Sequence, residues 1–219
     1  MQAFTQLRAL AAPLEGRNVD TDQIIPARFL KKNRDALYKN YLFHDLRFDA
    51  QGELRPEFVL NRPAFTGAQI LVADENFGCG SSREGAVYCL ADFGIRAIIA
   101  PSFGDIFFNN CLKNGVLPLK LAAQTILTLR QILATIAQRE HQPDELQISI
   151  DLERCTVQGP GISGALPFSI EPFWQECLLK GVDELALTLG YRADIEAFER
   201  AHHAKHSWLA TSSSDRVLD

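Results

Sequence analysis

The chain has no CxxC pair, no apolar run of membrane length, no excess of positive charge and no internal repeat. Each absence excludes a class of protein. The five cysteines, Cys79, Cys89, Cys111, Cys155 and Cys177, stand singly along 219 residues. An odd number without close pairs argues against a disulfide framework. It argues equally against a self-contained zinc or iron–sulfur site, which usually shows a close pair of ligands. Most of these cysteines therefore read as small buried hydrophobes. No segment approaches the roughly 18 apolar residues of a membrane span. The start, MQAFTQLRALAAPLEG, lacks the unbroken apolar segment of a signal peptide, so a cytoplasmic protein is expected. Twenty-two Lys and Arg against 27 Asp and Glu leave a net charge of −5, the opposite of a nucleic-acid footprint. With no low-complexity linker, one domain over residues 1–205 is expected, followed by a flexible polar tail over 206–219.

What is present is ordinary soluble composition, 47% hydrophobic and 22% charged, with an uneven pattern of elements. Residues 1–67 are loop-rich, with a possible strand over 4–12 and a short helix over 35–43; 44–66 reads as an ordered loop. The middle alternates. Short apolar runs at 68–73, 95–100 and 116–121 read as buried strands, and helical spacing appears over 82–93 and 102–114. Ser102 is a candidate N-cap, and Gly94 and Gly115 stand where helices stop. This alternation indicates an α/β unit. A helical pattern over 122–139 follows. Strands at 146–152, 155–158 and 165–170 then read as antiparallel around Gly159-Pro160-Gly161. Helices are expected from Pro172 to Gly181 and over 191–203.

Three stretches could carry chemistry. NFGCGSSREGA, residues 76–86, falls between a buried strand and a helix, where α/β proteins commonly bind ligands. Its plain structural reading is a capping box between Ser81 and Glu84. It lacks the third glycine of GxGxxG, the Gly-Lys-Ser/Thr of a P-loop and the GxSxG of a nucleophile elbow. What remains is a helix start with two hydroxyls and the Arg83 guanidinium, an inventory suited to a small carboxylate. NVDTDQIIP, residues 18–26, reads either as an Asx-type turn or as a carboxylate that orients a partner group. APSFGDIFFNNCLKNG, residues 100–115, reads as a helix start with core aromatics. The pair His202 and His206 in HHAKH has metal-compatible spacing on a terminal helix, and His44 and His141 stand alone.

In their order and spacing, NVDTDQIIP, NFGCGSSRE and IAPSFGDIFFNN closely resemble the small subunit of 3-isopropylmalate dehydratase, over roughly residues 8–190. That family matches the mobile swivel domain of the aconitase superfamily. The resemblance implies a swivelling β/β/α domain, a mixed sheet with packed helices. It implies a hydro-lyase of leucine biosynthesis that interconverts 2-isopropylmalate and 3-isopropylmalate by removing and re-adding water. It implies a heterodimer or higher assembly with a large subunit carrying a [4Fe–4S] cluster, and no metal bound by this chain. Ser81 aligns with the catalytic serine, an alkoxide-like base. Asp22 would orient a catalytic group across the interface. Arg83, with Ser82 and Thr21, would bind substrate carboxylate. Phe29 and Leu30, in the loop after IIP, could meet an isopropyl group.

Two departures stand out. The family usually reads SREHA, and this chain reads SREGA, with Gly85 for the histidine; AVYCL also lacks a proline common in bacterial members. Glycine in a helix costs about 0.5–1 kcal/mol relative to alanine. Alternative readings are a related hydro-lyase acting on 2-methylmalate/citraconate or homoaconitate, and a non-catalytic anion-binding subunit.

Overall fold

A computed structural model describes residues 1–140 and 143–209. Strand β1, Gln6–Pro13, is the hinge of the architecture, because its two halves pair differently. Ala11–Pro13 run parallel to β2, Ile70–Val72, whereas Gln6–Leu10 run antiparallel to β5, Gln147–Asp151. Between β1 and β2 lie two one-turn helices, α1 (Thr21–Ile24) and α2 (His44–Arg47). Helix α3 (Glu84–Phe93) then leads to β3 (Ala97–Ala100), and α4 (Asp105–Lys113) leads to β4 (Leu117–Lys120). Helix α5, Ala123–Ile136, packs on β1, β2 and β3. Strands β6 (Thr156–Gln158) and β7 (Leu166–Pro167) complete one mixed sheet in the order β4-β3-β2-β1-β5-β6-β7.

The composition of the strands explains the two halves. Ile70, Leu71 and Val72 of β2 and all four residues of β3 are fully buried. Such unbroken apolar runs belong to parallel strands covered on both faces. In β5 buried Ile148 and Ile150 alternate with half-buried Gln147, Ser149 and Asp151, the pattern of an antiparallel strand with one open face. Burying each large aliphatic side chain contributes about 1.5–3 kcal/mol.

The chain divides into two compact units, Met1–Gly181 and Val182–Asp219. The first ends with α6, Pro172–Lys180, which Pro172 opens and Gly181 closes in a left-handed backbone (φ 67°). The second holds α7 (Glu184–Leu189) and α8 (Arg192–Lys205). Helix α7 was not foreseen. It is capped by Asp183, whose carboxylate accepts from the Ala186 amide at 2.7 Å. His141 and most of the expected tail, residues 210–219, lie outside the described residues.

The segment before β2 departs most from expectation. The helix expected over 35–43 is only a 3-10 turn, Tyr38–Tyr41. Leu42 and Phe43 are fully buried, and Phe43 leaves the helical path (φ 47°) to donate its amide to the Ile24 carbonyl at 2.8 Å. The stretch expected as an ordered loop over 44–66 is ordered, around buried Arg47, and differs in opening with helix α2. The Arg47 guanidinium lies over the Phe93 ring at 4.8 Å and donates to Asn61 at 3.2 Å.

Candidate active site

Three segments distant in sequence are stitched together beyond the carboxyl ends of β1, β2 and β3. Asn76 donates its amide to the Ser102 hydroxyl at 2.8 Å, and Gly104 donates to the Phe77 carbonyl at 2.9 Å. Gly78 donates to the Val19 carbonyl at 2.7 Å, and Thr21 to the Cys79 carbonyl at 3.0 Å. The Thr21 hydroxyl, almost fully buried, donates to the Ser81 carbonyl at 2.8 Å. The glycines make this approach possible. A Cβ on Gly78 would lie 2.2 Å from Cγ of the Phe107 ring, and one on Gly104 would lie 2.5 Å from the Gly78 carbonyl oxygen. Gly78 and Gly80 also hold left-handed backbone (φ 71° and 88°), where side chains are strained.

Two helix starts meet here. At α1 the Asp20 carboxylate accepts from the Gln23 amide at 2.7 Å, and the Gln23 side-chain carbonyl accepts from the Asp20 amide at 3.0 Å. This is a complete capping box, so the DTD cluster is a helix cap and not an Asx turn entering a strand. At α3 the reverse holds. The helix begins at Glu84 and its N-cap is Arg83, extended and with no side-chain cap. The expected Ser81–Glu84 box does not form, because the helix starts at Glu84, which leaves Ser81 two residues ahead of the N-cap, where its carbonyl accepts from Thr21. Ser102 likewise does not cap α4, whose N-cap is Gly104, since its hydroxyl is taken by Asn76.

Ser81 and Ser82 are exposed beside this open helix end. The Arg83 side chain is 15% exposed and pairs through Nη1 with the Asp22 carboxylate. Thr21, Ser81, Ser82 and Arg83 line one wall of a cleft of about 230 Å³, and Gly104, Asp105 and Ile106 line the other. The arrangement offers hydroxyls, a guanidinium with spare donors and free first-turn amides to one small anion. The Cys79 thiol is pushed up by its burial and by the nearby Asp20 charge, which keeps it neutral.

Of the seven site residues expected from sequence, Ser81, Ser82, Arg83 and Thr21 share the cleft, and Asp22 joins them through Arg83. Phe29 and Leu30 lie outside its lining. Phe29 stacks on Tyr41 with ring centres 4.3 Å apart, and Leu30 rests against Gly85. The sequence reading missed Gly104 and Asp105 as wall residues. It also missed Asp74, which accepts from Arg130 at 2.8 Å and from the Glu75 amide at 2.8 Å and so orients the entry to the turn. His202 and His206 face each other at 4.8 Å between ring centres, and His44 contacts Phe29 and Phe48. Among the described residues, no three His, Cys, Asp or Glu side chains converge as a metal site. A larger hollow of about 380 Å³ over β1, β5 and β6 includes Gln6 and Asp151, which bond each other at 3.0 Å.

Residues 1–124 match the aconitase C-terminal domain family. The chain is 46% identical to the 3-isopropylmalate dehydratase small subunit of Dinoroseobacter shibae, over 95% of this chain and 100% of that one. It is 48% identical to the corresponding subunit of Geobacillus kaustophilus, over 92% and 98%. The crystal structure of 3-isopropylmalate dehydratase from Methanocaldococcus jannaschii superposes with a TM-score of 0.57 at 26% identity, covering 89% of this chain and 99% of that one. The strand–turn–helix motif, the mixed sheet and these near full-length matches agree: the chain belongs to the family of 3-isopropylmalate dehydratase small subunits, with the fold of the aconitase C-terminal domain.

Proposed function

We propose that this chain is the small subunit of a 3-isopropylmalate dehydratase, a hydro-lyase that isomerises 2-isopropylmalate and 3-isopropylmalate in leucine biosynthesis. It works in the cytoplasm with a large subunit, as a heterodimer or higher assembly. The supporting observation is the uncapped start of α3, where exposed Ser81 and Ser82 flank the largely buried Arg83 guanidinium in one cleft.

The described side chains do not fit an iron–sulfur cluster, since no ligand set converges. By family resemblance the cluster is assigned to the large subunit, and the steps below concern only groups of this chain. Dehydration removes a proton from a carbon next to a carboxylate. Ser81 is assigned as the base that takes it. A serine hydroxyl is a weak base, so its ionised form needs nearby positive potential, which the Arg83 guanidinium and the first-turn amides of α3 supply. Arg83 offers five donors and uses one on Asp22, leaving others for a substrate carboxylate. Ser82 adds a hydroxyl or an amide. Asp22 orients Arg83 and groups across the subunit interface. Thr21 holds the Ser81 backbone in place through its buried hydroxyl. Phe29, stacked on Tyr41, and Leu30 lie beyond the cleft lining and are assigned to the isopropyl group that would extend past it.

The test is to reconstitute the chain with an iron–sulfur large subunit and assay 2-isopropylmalate, citraconate and homoaconitate in parallel. Turnover of 2-isopropylmalate is expected to dominate; its absence would overturn the assignment.

A further inference from the structure

A side chain at position 85 has no room here. A Cβ built on Gly85 lies 2.9 Å from the Tyr38 hydroxyl oxygen, 3.3 Å from Leu30 Cδ2 and 3.9 Å from Ile25 Cδ1. Gly85 sits in the first turn of α3, two residues after Arg83, with an ordinary helical backbone. Its lack of a side chain is therefore a matter of space and not of φ.

The segment that fills the space runs along α3 and is held at three further points. Arg34 donates to both oxygens of Asp92, at 2.8 and 2.6 Å, and lies over the Tyr88 ring at 4.3 Å. The buried Cys89 thiol donates to the Tyr38 carbonyl at 3.0 Å. Tyr38 is only 3% exposed and meets Tyr41 edge-on at 5.6 Å, so its ring has little freedom to retreat. These contacts fix the C-terminal part of the segment. The Gly85 contact is the one at the end of α3 that carries Arg83, and the one that reaches Leu30.

We propose that Gly85 is a seat for the 25–41 segment: by presenting no side chain to Tyr38 and Leu30 it sets how closely that segment closes on the start of α3, and so positions Leu30 for recognition of the substrate's alkyl group. Gly85 and Tyr38 are then a matched pair of positioning residues, and the glycine is the counterpart of the tyrosine. The part of this inference that concerns substrate rests on the functional reading above; the seating itself does not.

The test uses four forms of the small subunit in the reconstituted complex: wild type, Gly85→Ala, Tyr38→Phe and the double variant. Two quantities are read. The first is kcat and KM on 3-isopropylmalate. The second is the rate at which Cys89 is alkylated, followed by peptide mass mapping, since the buried thiol is held by the Tyr38 carbonyl and lifting the segment breaks that contact. A methyl group forced into a packed site acts like an overpacking change, so KM for Gly85→Ala is expected to rise roughly tenfold, with kcat within about twofold. Cys89 labelling should quicken several-fold. Removing the Tyr38 oxygen makes room for the new methyl, so the double variant should recover most of both losses although Tyr38→Phe alone gains nothing.

Unchanged KM and unchanged Cys89 labelling in Gly85→Ala would overturn the proposal. So would a loss that persists in the double variant, because the cause would then lie in α3 itself. If the wild-type complex fails on isopropylmalate, the functional reading falls, and Cys89 labelling still decides the seat.

Discussion

The starts of α1 and α3 lie side by side, and they are finished in opposite ways. Helix α1 spends two side chains, Asp20 and Gln23, on closing its first turn. Helix α3 is more than twice as long and closes nothing; its N-cap side chain points instead at Asp22. A capped start satisfies its own amides and gains about 1 kcal/mol. An open start leaves donors and a partial positive charge for another molecule. The closed helix holds Thr21 and Asp22 still, and these in turn hold the backbone and the guanidinium of the open one.

Substitutions at the two starts should therefore fail differently. The largest effect is expected from Ser81→Ala in the reconstituted complex. Losing a general base costs roughly 10²–10⁴-fold, read in kcat, with little change in thermal midpoint. Survival of activity would remove Ser81 from that role. Next comes Arg83→Ser, which puts a good capping residue on α3. Activity should fall by about 10²-fold, in line with losing a charge-assisted bond. Stability measured by urea melting should hold or rise by about 0.5–1 kcal/mol. A matching fall in stability would show that Arg83 is structural. The smallest effect is expected from Asp20→Ala at the closed start. Losing the cap costs about 1 kcal/mol, a shift of about 2–4 °C in melting temperature for a chain of this size. Any kinetic loss should be well below that of Arg83→Ser.

Much of the sheet was legible because its strands are short apolar runs separated by helical spacing, and Gly94, Gly115 and Gly181 mark helix ends as read. The errors came from local signals that distant partners overrode. Ser81 and Glu84 have capping-box spacing, yet Ser81 stands two residues ahead of the N-cap, its backbone held by Thr21, sixty residues earlier. Ser102 looked like a cap and is claimed by Asn76. The box that does form, Asp20 with Gln23, has the spacing of the same rule but precedes an apolar run too short to mark a helix. Asp183 before ELALTL was a further readable cap. Gly85 could not have been explained from sequence, since its reason is the Tyr38 hydroxyl, which nothing in the local pattern brings near α3.

The divided pairing of β1 also bears on how the chain can be made and cut. Every residue of the proposed site precedes β4, which ends at Lys120, so a chain released after that strand would contain all of them. Yet residues 6–10 of β1 receive their partner only when residues 147–151 arrive. Until then a strand with its pairing groups open stands at the sheet's edge, and such edges recruit strands from other molecules. A recombinant fragment trimmed to the first 124 residues is thus expected to carry the whole site and to aggregate.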